Sequence, residues 1–442
     1  MRLFSKKDLY RLIIPLILEQ ILGVTVGMAA TVMVSGAGEA AVSGVSLVDT
    51  LNILLINIFS SLATGGAVVA ARYLGNKNEE KACRAANQLL LSITVLSLVI
   101  MVISLIGNRS VLRFIYGTID AKVMKHAVTY FYLTALSFPF LAIYSGSAAL
   151  CRSMGNSKIT MLTSILVNII NVTGNAIFVF GLGMESGGVG ASTLISRAVG
   201  AVIMLCVVHN QKLPIHIDAR FRLGFHPVMI KKICHVGIPT GIDNSIFQVG
   251  KLMVQSLVAG YGTTAIAANA VASTVSGFVV IPASSIGLAA ITVIGQCVGA
   301  RAFDDAKYYI KKLMKIAYVS MLALNLAFLL LSKQIVGVYQ LSSQASDMAW
   351  KILLSYSIMA MLLWPSAFTL PNVLRASDDA KYTMYVSILS MWIWRVGLSY
   401  ILDYFFHMGL YGTWIAMYAD WVCRAIFFLI RIARKKWEGI LA

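Results

Sequence analysis

Two carboxylates stand in the same setting at two places in the chain. Glu19 follows Pro15 by four residues, and Asp243 follows Pro239 by four residues; the separation is 224 in both cases (239 − 15 and 243 − 19). A carboxylate inside an apolar run can exchange a proton or bind a cation, because its ionised form is poorly solvated there. We therefore predict that Glu19 and Asp243 bind the coupling ion of a transport cycle. A structural hydrogen bond to a neighbouring helix is the alternative at both positions.

The chain has no residue pattern typical of an enzyme. The six histidines are scattered, and neither a His-Glu-x-x-His motif nor a nucleotide-binding loop occurs. The six cysteines have no metal-ligand spacing and fall near predicted cytoplasmic helix ends, where thiols stay reduced. We predict no catalytic residue, no disulfide, no metal and no cofactor. Without an ATP-binding motif, uphill transport needs an ion gradient, of H⁺ or Na⁺.

Composition indicates a membrane protein. Of the 442 residues, 59% are hydrophobic and only 12% are charged, whereas a soluble protein carries about 25% charged residues. The net charge of +18 is the expected result of Lys and Arg collecting in cytoplasmic loops. We expect the lipid bilayer, and no nucleic acid, as the partner of this charge.

Long apolar runs separated by short polar breaks predict twelve transmembrane helices. With the N-terminus in the cytoplasm, most of the 36 Lys and Arg residues fall in cytoplasmic segments, which supports that orientation for both termini. The approximate limits of the spans are 12–34, 46–71, 87–107, 128–150, 160–182, 188–208, 236–259, 267–296, 313–332, 350–373, 383–403 and 410–431.

The duplication extends over both halves of the chain. Gly75 corresponds to Gly299, and the segment from Arg152 to Lys158 corresponds to the one beginning at Arg375. Because six spans per half is an even number, the halves are parallel repeats. We predict an all-α polytopic membrane protein, with twelve helices in two pseudo-symmetric six-helix lobes around a central cleft. The predicted N-lobe, cytoplasmic linker and C-lobe are 1–210, 211–232 and 233–442.

Three basic residues lie inside predicted spans and need partners or a polar cavity. Lys251 lies about two turns beyond Asp243 on the same helix, with Gln248 between them, and we expect it to pair with a carboxylate. Arg197 and Arg395 are interpreted as structural charge partners, since arginine stays charged and cannot carry the coupling proton. Their candidate acidic partners are Asp49, Asp403 and Asp420.

Amide side chains form a second group of cavity candidates. Asn168, Asn171 and Asn175 are spaced by three and four residues, which places them on one face of the fifth span. Such a stripe either lines a polar cavity or bonds a neighbouring helix. Asn52, close to Asp49 in the second span, is a further candidate for the cavity wall.

Five stretches of the chain match the pattern of one known family: Ile14-Pro15, Thr31–Gly36, Ala70–Glu79, Asn171–Gly183 and Gly188–Arg197. In them the chain resembles the multidrug and toxic compound extrusion (MATE) transporters of the multidrug/oligosaccharidyl-lipid/polysaccharide flippase superfamily. The resemblance implies export of amphipathic, often cationic, small molecules in exchange for protons or sodium ions. It also implies a V-shaped cavity between two lobes and a location in the bacterial inner membrane; we expect a monomer.

The chain departs from this family at the usual cation site of the N-lobe. Family members often have an aspartate where this sequence has Ala30, and a second aspartate where it has Asn175. Asn171 and Thr193 keep the polar pattern that the family shows there. The resemblance thus predicts an N-lobe site without its carboxylates.

An ion-coupled exporter is the leading hypothesis from the sequence. The alternative is a flippase for a lipid-linked saccharide or another anionic lipid, for which Lys251, Arg197 and Arg395 would be the contacts. A membrane-embedded enzyme is the least supported class, because no catalytic constellation occurs and the halves are duplicated.

Overall fold

The protein is described from a computed structural model that covers residues 2–35, 38–117, 120–217 and 224–434. These residues form helices and, within those ranges, no strand, which confirms the predicted all-α class. The first seven helices are α1 (Lys6–Ser35), α2 (Glu39–Gly75), α3 (Glu79–Tyr116), α4 (Ala121–Leu136), α5 (Phe138–Ser153), α6 (Ser157–Asn175, continued by a π-helical turn, Ala176–Gly181) and α7 (Glu185–Val208).

The second half of the chain contains nine further α-helices in its described part. They are α8 (Pro227–Ala259), α9 (Thr263–Val279), α10 (Ile281–Gly299), α11 (Phe303–Val338), α12 (Ser343–Trp364), α13 (Leu370–Ala376), α14 (Ala380–Ser390), α15 (Ser399–Phe406) and α16 (Gly409–Ala433). π-Helical turns, Pro365–Thr369 and Met391–Leu398, connect α12 to α13 and α14 to α15.

Every predicted span coincides with one helix or with consecutive helical segments. The predicted spans 128–150 and 267–296 are each broken in two, at Ser137 and at Val280, directly before helices with a proline in their first turn. Proline is well accommodated there, because the first turn leaves its backbone N–H groups without helical partners. The helices α4 and α5 meet at a bend of 46°.

Within the described residues, nine helical segments are long and apolar enough to cross a membrane, or ten if α4 and α5 form one span. The helices α8 and α16 are not among these segments; α8 carries Asp243 and Lys251, and α16 carries Asp420 and Arg424. α3 and α11 present fully apolar exposed side chains, among them Ile106, which is 84% exposed. Such surfaces suit contact with lipid chains.

The described chain forms two compact units. One is Lys6–Gly241, and the other is Ile242–Ala442 together with the residues before Lys6. The division falls inside α8, beyond the predicted linker 211–232. That linker also overlaps α8, which begins at Pro227 because proline fits the first position of a helix. The segment preceding α8 is fastened to α3, where Gln88 donates a hydrogen bond to Gly224 O (2.9 Å).

The first residues of the chain pack on α11, within the second unit. Leu3 N donates to Asp305 (3.2 Å), and Phe4 N donates to the Tyr309 hydroxyl (2.9 Å). The same hydroxyl donates to Phe4 O (2.6 Å). The Arg2 guanidinium lies 3.2 Å from the centre of the Tyr308 ring. The segment before α1 is thus held by backbone and side-chain contacts.

In the first unit, α2 and α8 approach so closely that only glycine fits at one position. A Cβ atom at Gly65 would lie 2.4 Å from Ile233 O and 2.8 Å from Gly237 N, both of which are backbone atoms. Small residues permit this kind of backbone approach between membrane helices.

We expect Gly65→Ala to lower the free energy of unfolding by about 1–3 kcal/mol, the range typical of overpacking. The backbone atoms opposite it cannot move aside as a flexible side chain could. Thermal unfolding of the purified protein in detergent measures the loss. Gly23→Ala is the matched control, because nothing lies within 4 Å of a Cβ atom there. Equal stability of the two variants would contradict the tight contact.

Candidate functional site

Glu19 lies on α1 one turn after Pro15 and is held by two helices. Arg152 of α5 places its Nη1 atom 3.3 Å from Glu19 Oε1. Thr160 of α6 donates a hydrogen bond of 3.0 Å to Glu19 Oε2. The Glu19 side chain is only 13% exposed. The carboxylate therefore ties α1 to α5 and α6.

Asp243 lies on α8, one turn after Pro239, in a matching arrangement. Its Oδ2 atom is 2.6 Å from Nη2 of Arg375 on α13, and its side chain is 7% exposed. Arg375 also donates a 3.0 Å hydrogen bond to Asn372 Oδ1, which fixes the guanidinium in place. Charge-assisted bonds of this length are among the stronger polar contacts in proteins.

Arg152 and Arg375 are the ion-pair partners that sequence reasoning missed. The sequence analysis recognised them as corresponding residues, 223 positions apart (375 − 152), but assigned both to cytoplasmic segments without partners. The structure places them on helices, each paired with a carboxylate of the duplicated Pro-x-x-x-Glu/Asp pattern. The duplication contained this information, because corresponding carboxylates in the two halves are expected to have corresponding partners. We call the two contacts the duplicated ion pairs.

A polar network surrounds Asp49 in the first unit. Asp49 Oδ1 accepts a hydrogen bond from the Tyr130 hydroxyl (2.8 Å) and from Asn52 Nδ2 (3.3 Å). Arg197 donates to the Ser137 hydroxyl (2.7 Å), and its charge acts on Asp49. Asp49 is thus the nearby acid among the candidate partners of Arg197.

Two asparagines of the stripe on α6, Asn171 and Asn175, form hydrogen bonds with residues of α7. Asn171 Nδ2 lies 3.4 Å from both Thr193 Oγ1 and Ser196 Oγ, and Asn175 donates to Asn171 Oδ1 (3.2 Å). Ser192 in turn donates to Asn175. Among the described residues, the buried Nδ2 atom of Asn168 has no hydrogen-bond partner.

Arg424 and Asp420 form a fully buried ion pair on α16. Arg424 Nε lies 2.7 Å from Asp420 Oδ1, and the two residues are 3% and 0% exposed. Ser390 donates to the same carboxylate (2.6 Å). The sequence analysis offered Asp420 as a candidate partner of Arg197 and Arg395 and gave Arg424 no role. In the structure Asp420 forms its ion pair with Arg424, which lies one helical turn away on the same helix.

Lys251 differs most from its sequence-based interpretation. No ion pair to a carboxylate is seen for it among the described residues, and the charge that acts on it is that of Arg395. Gln248 is half-buried on the same helix. Lys251 and Arg395 both line a cavity of about 350 Å³. The reason for the difference is geometric: Asp243, two turns earlier, is already bonded to Arg375.

The chemistry that these groups allow is binding and release of ions and small molecules. Among the described residues, no group of three or more His, Cys, Asp or Glu side chains is arranged to hold a metal ion. No disulfide joins the cysteines of the described residues.

Comparison with known families shows where the chain belongs. The MatE family model matches residues 15–177 and again 239–401, together more than half of the chain. The chain belongs to the MatE family. The two matches begin at Pro15 and Pro239, 224 residues apart (239 − 15), which confirms the duplication predicted from the sequence. Members of this family are transporters and not enzymes, so the protein is a membrane-embedded transporter.

Individual relatives and solved structures agree with this membership. The uncharacterized transporter YisQ of Bacillus subtilis (strain 168) is 26% identical, with 97% of this chain and 94% of YisQ covered. The probable multidrug resistance protein NorM of Thermotoga maritima is 24% identical, with 98% and 93% covered. A crystal structure of MATE in the straight conformation superimposes with a TM-score of 0.91 at 20% identity, covering 99% of this chain and 96% of that one.

One further solved structure has the same fold. It is a transporter of the MOP superfamily from Pyrococcus furiosus, for which the reverse polarity of the binding pocket suggests a different function. The TM-score is 0.90 at 20% identity, with 99% of this chain and 96% of that chain covered. At this identity the likeness establishes the fold of the MatE protein and nothing about its substrate.

Proposed function

We propose that this MatE transporter exports amphipathic small molecules in exchange for protons or sodium ions, with Glu19 and Asp243 as the coupling carboxylates. The observation that carries the proposal is the pair of duplicated ion pairs. Each places a nearly buried carboxylate on a proline-containing helix against an arginine of a helix in the same unit. Relatives named as probable multidrug resistance proteins support the export of small molecules.

The duplicated ion pairs provide a physical route from ion binding to helix contacts. A proton or sodium ion bound to Glu19 neutralises the charge that holds Arg152, so ion and arginine compete for the same carboxylate. Asp243 and Arg375 are related in the same way. An ion can shift a conformational equilibrium only by its differential affinity for the two states, and competition with arginine supplies such a difference.

The coupling ion brings enough energy for accumulation against a gradient. One charge crossing 100 mV supplies about 2.3 kcal/mol, and about 1.4 kcal/mol corresponds to a tenfold concentration ratio. Exchange of one such ion for one uncharged substrate molecule therefore supports roughly a fortyfold gradient of substrate.

The proposal includes a location and an assembly state. We place the protein in the bacterial inner membrane, multi-pass, with both termini in the cytoplasm, as the distribution of Lys and Arg indicates. We propose that it acts as a monomer on small amphipathic substrates, without nucleic acid and without a bound cofactor other than the coupling ion.

Transport by purified protein in proteoliposomes tests the proposal. A panel of cationic, neutral and anionic amphipathic dyes is presented under an imposed pH gradient, an imposed sodium gradient, or neither. We expect dye movement to depend on one of the two gradients and to stop when an ionophore dissipates it. Protein-free liposomes correct for leak. Dye movement that is equal with and without both gradients would contradict ion coupling.

The flippase alternative has one observation in its favour, the positive charge of Lys251 and Arg395 in a cavity. Its test uses the same proteoliposomes with a fluorescent anionic lipid. Neutralising Lys251, Arg197 and Arg395 should then abolish lipid movement. Unchanged transport of organic cations by that triple variant, without movement of the lipid in the parent protein, would exclude the alternative.

A further inference from the structure

The second unit contains a cavity whose walls are aromatic and whose charges are positive. It has a volume of about 350 Å³, at the lower end of the range of about 300–1,000 Å³ usual for small-molecule sites. We call it the aromatic cavity. The residues that the argument uses are Phe247, Lys251, Tyr356, Arg395, Trp414 and Trp421.

The positive charge of the aromatic cavity is not neutralised by its lining. Among the described residues that line it, there is a lysine and an arginine but no aspartate or glutamate. The Nε atom of Arg395 is buried and has no hydrogen-bond partner among the described residues. Lys251 lines the same cavity, and the charged group that acts on it is Arg395.

The nearby carboxylates are already occupied by other arginines. Asp420 lies near Arg395 and its charge acts on it, but its Oδ1 atom is bonded to Arg424 at 2.7 Å and to Ser390 at 2.6 Å. Its buried Oδ2 atom has no hydrogen-bond partner among the described residues, Arg395 included. Asp243 is bonded to Arg375 at 2.6 Å. Two cations therefore face the same cavity without a carboxylate of their own. Unpaired charges in poorly solvated places are costly, and a bound anion would offset that cost.

The walls of the aromatic cavity are held in a fixed arrangement. Tyr356 packs edge-on against Trp414 (5.7 Å between ring centres) and against Trp421 (5.4 Å). Trp414 donates a 3.0 Å hydrogen bond to Asn269, which in turn donates to Gln255 (3.1 Å). These contacts fix Tyr356 and Trp414 and leave ring faces and edges for an apolar ligand body. The buried Nε1 atom of Trp421 has no hydrogen-bond partner among the described residues.

We propose that the aromatic cavity binds an organic anion with an aromatic body, whose carboxylate, sulfonate or phosphate group lies between Lys251 and Arg395. The anion can be a soluble compound or the head group of an anionic lipid. This inference rests on the proposed export function and names the substrate class for it. Arg395 lies 5.3 Å from the centre of the Phe247 ring, which keeps its guanidinium at the cavity wall.

Binding to the full-length protein in phosphatidylcholine nanodiscs tests the inference. The probes are pyrenebutanoate and its cationic counterpart, pyrenebutyl-trimethylammonium, which differ in charge and share the ring system. Energy transfer from tryptophan to pyrene reports occupancy, since Trp414 and Trp421 line the cavity. We expect the anion to bind at least tenfold more tightly than the cation.

Three variants assign the anion to the cavity. Lys251→Gln and Arg395→Gln are each expected to weaken binding of pyrenebutanoate at least tenfold, without weakening the cationic probe. Arg395→Lys keeps the charge and is expected to retain part of the affinity. It takes the place of the glutamine variant if that variant folds poorly. Lys333→Gln is the matched control, because Lys333 lies 4.9 Å from the Trp350 ring and does not line the cavity. Anion affinity that is unchanged in Lys251→Gln overturns the inference.

A lipid arm distinguishes the two sources of the anion. If a lipid head group is the ligand, phosphatidylglycerol in the nanodisc lowers the affinity of the parent protein for pyrenebutanoate but not that of Lys251→Gln. If a soluble anion is the ligand, phosphatidylglycerol has no such effect. The binding assay needs no gradient. Anion binding without gradient-driven transport would therefore overturn the export proposal, while the inferred anion site would stand. Gradient-driven transport of cations, combined with equal affinity for the two probes, overturns the site and leaves the export proposal.

Discussion

Asp243→Asn is expected to lower ion-driven export at least tenfold, and Glu19→Gln to lower it in the same direction. Each amide is nearly the size of the carboxylate but cannot take up a proton, and it attracts a sodium ion far less strongly. Each amide oxygen can still accept a hydrogen bond from Arg375 or Arg152, so the helix contacts are retained. The measurement is the initial rate of dye transport in proteoliposomes under an imposed gradient, normalised to the amount of reconstituted protein.

The dependence on the gradient separates a coupling role from a structural one. A variant that is only less stable loses transport in proportion under every gradient, whereas a coupling variant keeps downhill dye movement and loses its response to the ion. Asp347→Asn is the matched control, since its carboxylate forms a half-exposed pair with Lys351 (2.6 Å) and has no counterpart in the duplicated ion pairs. Normal gradient-driven export by both Glu19→Gln and Asp243→Asn would refute their assignment.

The largest effect on stability is expected at the buried pair of α16. Replacing Asp420 with alanine leaves Arg424, which is 3% exposed, without its carboxylate. Removing one partner of a buried ion pair costs about 3–5 kcal/mol, because the remaining charge stays desolvated. Thermal or denaturant unfolding of the purified protein in detergent measures this loss.

A double-mutant cycle isolates the pair from the other contacts of these residues. The double variant Asp420→Ala/Arg424→Gln, compared with each of its two single variants, removes both charges and should recover part of the stability lost in Asp420→Ala. Lys351→Gln is the surface control, with an expected loss of at most about 1 kcal/mol because exposed pairs contribute little. A loss below that value for Asp420→Ala would show that Arg424 finds another partner.

Most of the fold was predictable because membrane helices are specified locally. An apolar run of sufficient length determines a helix whatever its neighbours are, and the repeat identified corresponding helices in the two halves. Pro139, Pro282 and Pro365 predict kinks in their spans, but they do not specify the breaks at Ser137 and Val280 or the π-helical turns. A proline within an apolar run is compatible with both a kink and a new helix, and the choice depends on packing.

The candidate sites were predictable only in part. The spacing of Asn171 and Asn175 located a polar face on α6, and one of the two open interpretations, bonding to a neighbouring helix, matches their contacts with α7. The ion-pair partners were harder to predict, because Arg375 is far from Asp243 in sequence and the pairing depends on which helices pack against each other. The aromatic cavity draws its residues from several helices of the second half, so no single segment carries its signature.

The anchoring of the first residues on α11 matters for how the protein is handled. The backbone of Leu3 and Phe4 is engaged with Asp305 and Tyr309, and Arg2 covers the Tyr308 ring. A purification tag or fluorescent reporter fused directly ahead of Arg2 competes for the space beside those side chains. Expression vectors that carry the fusion downstream of the last helix, or that insert a long flexible spacer before it, avoid this interference.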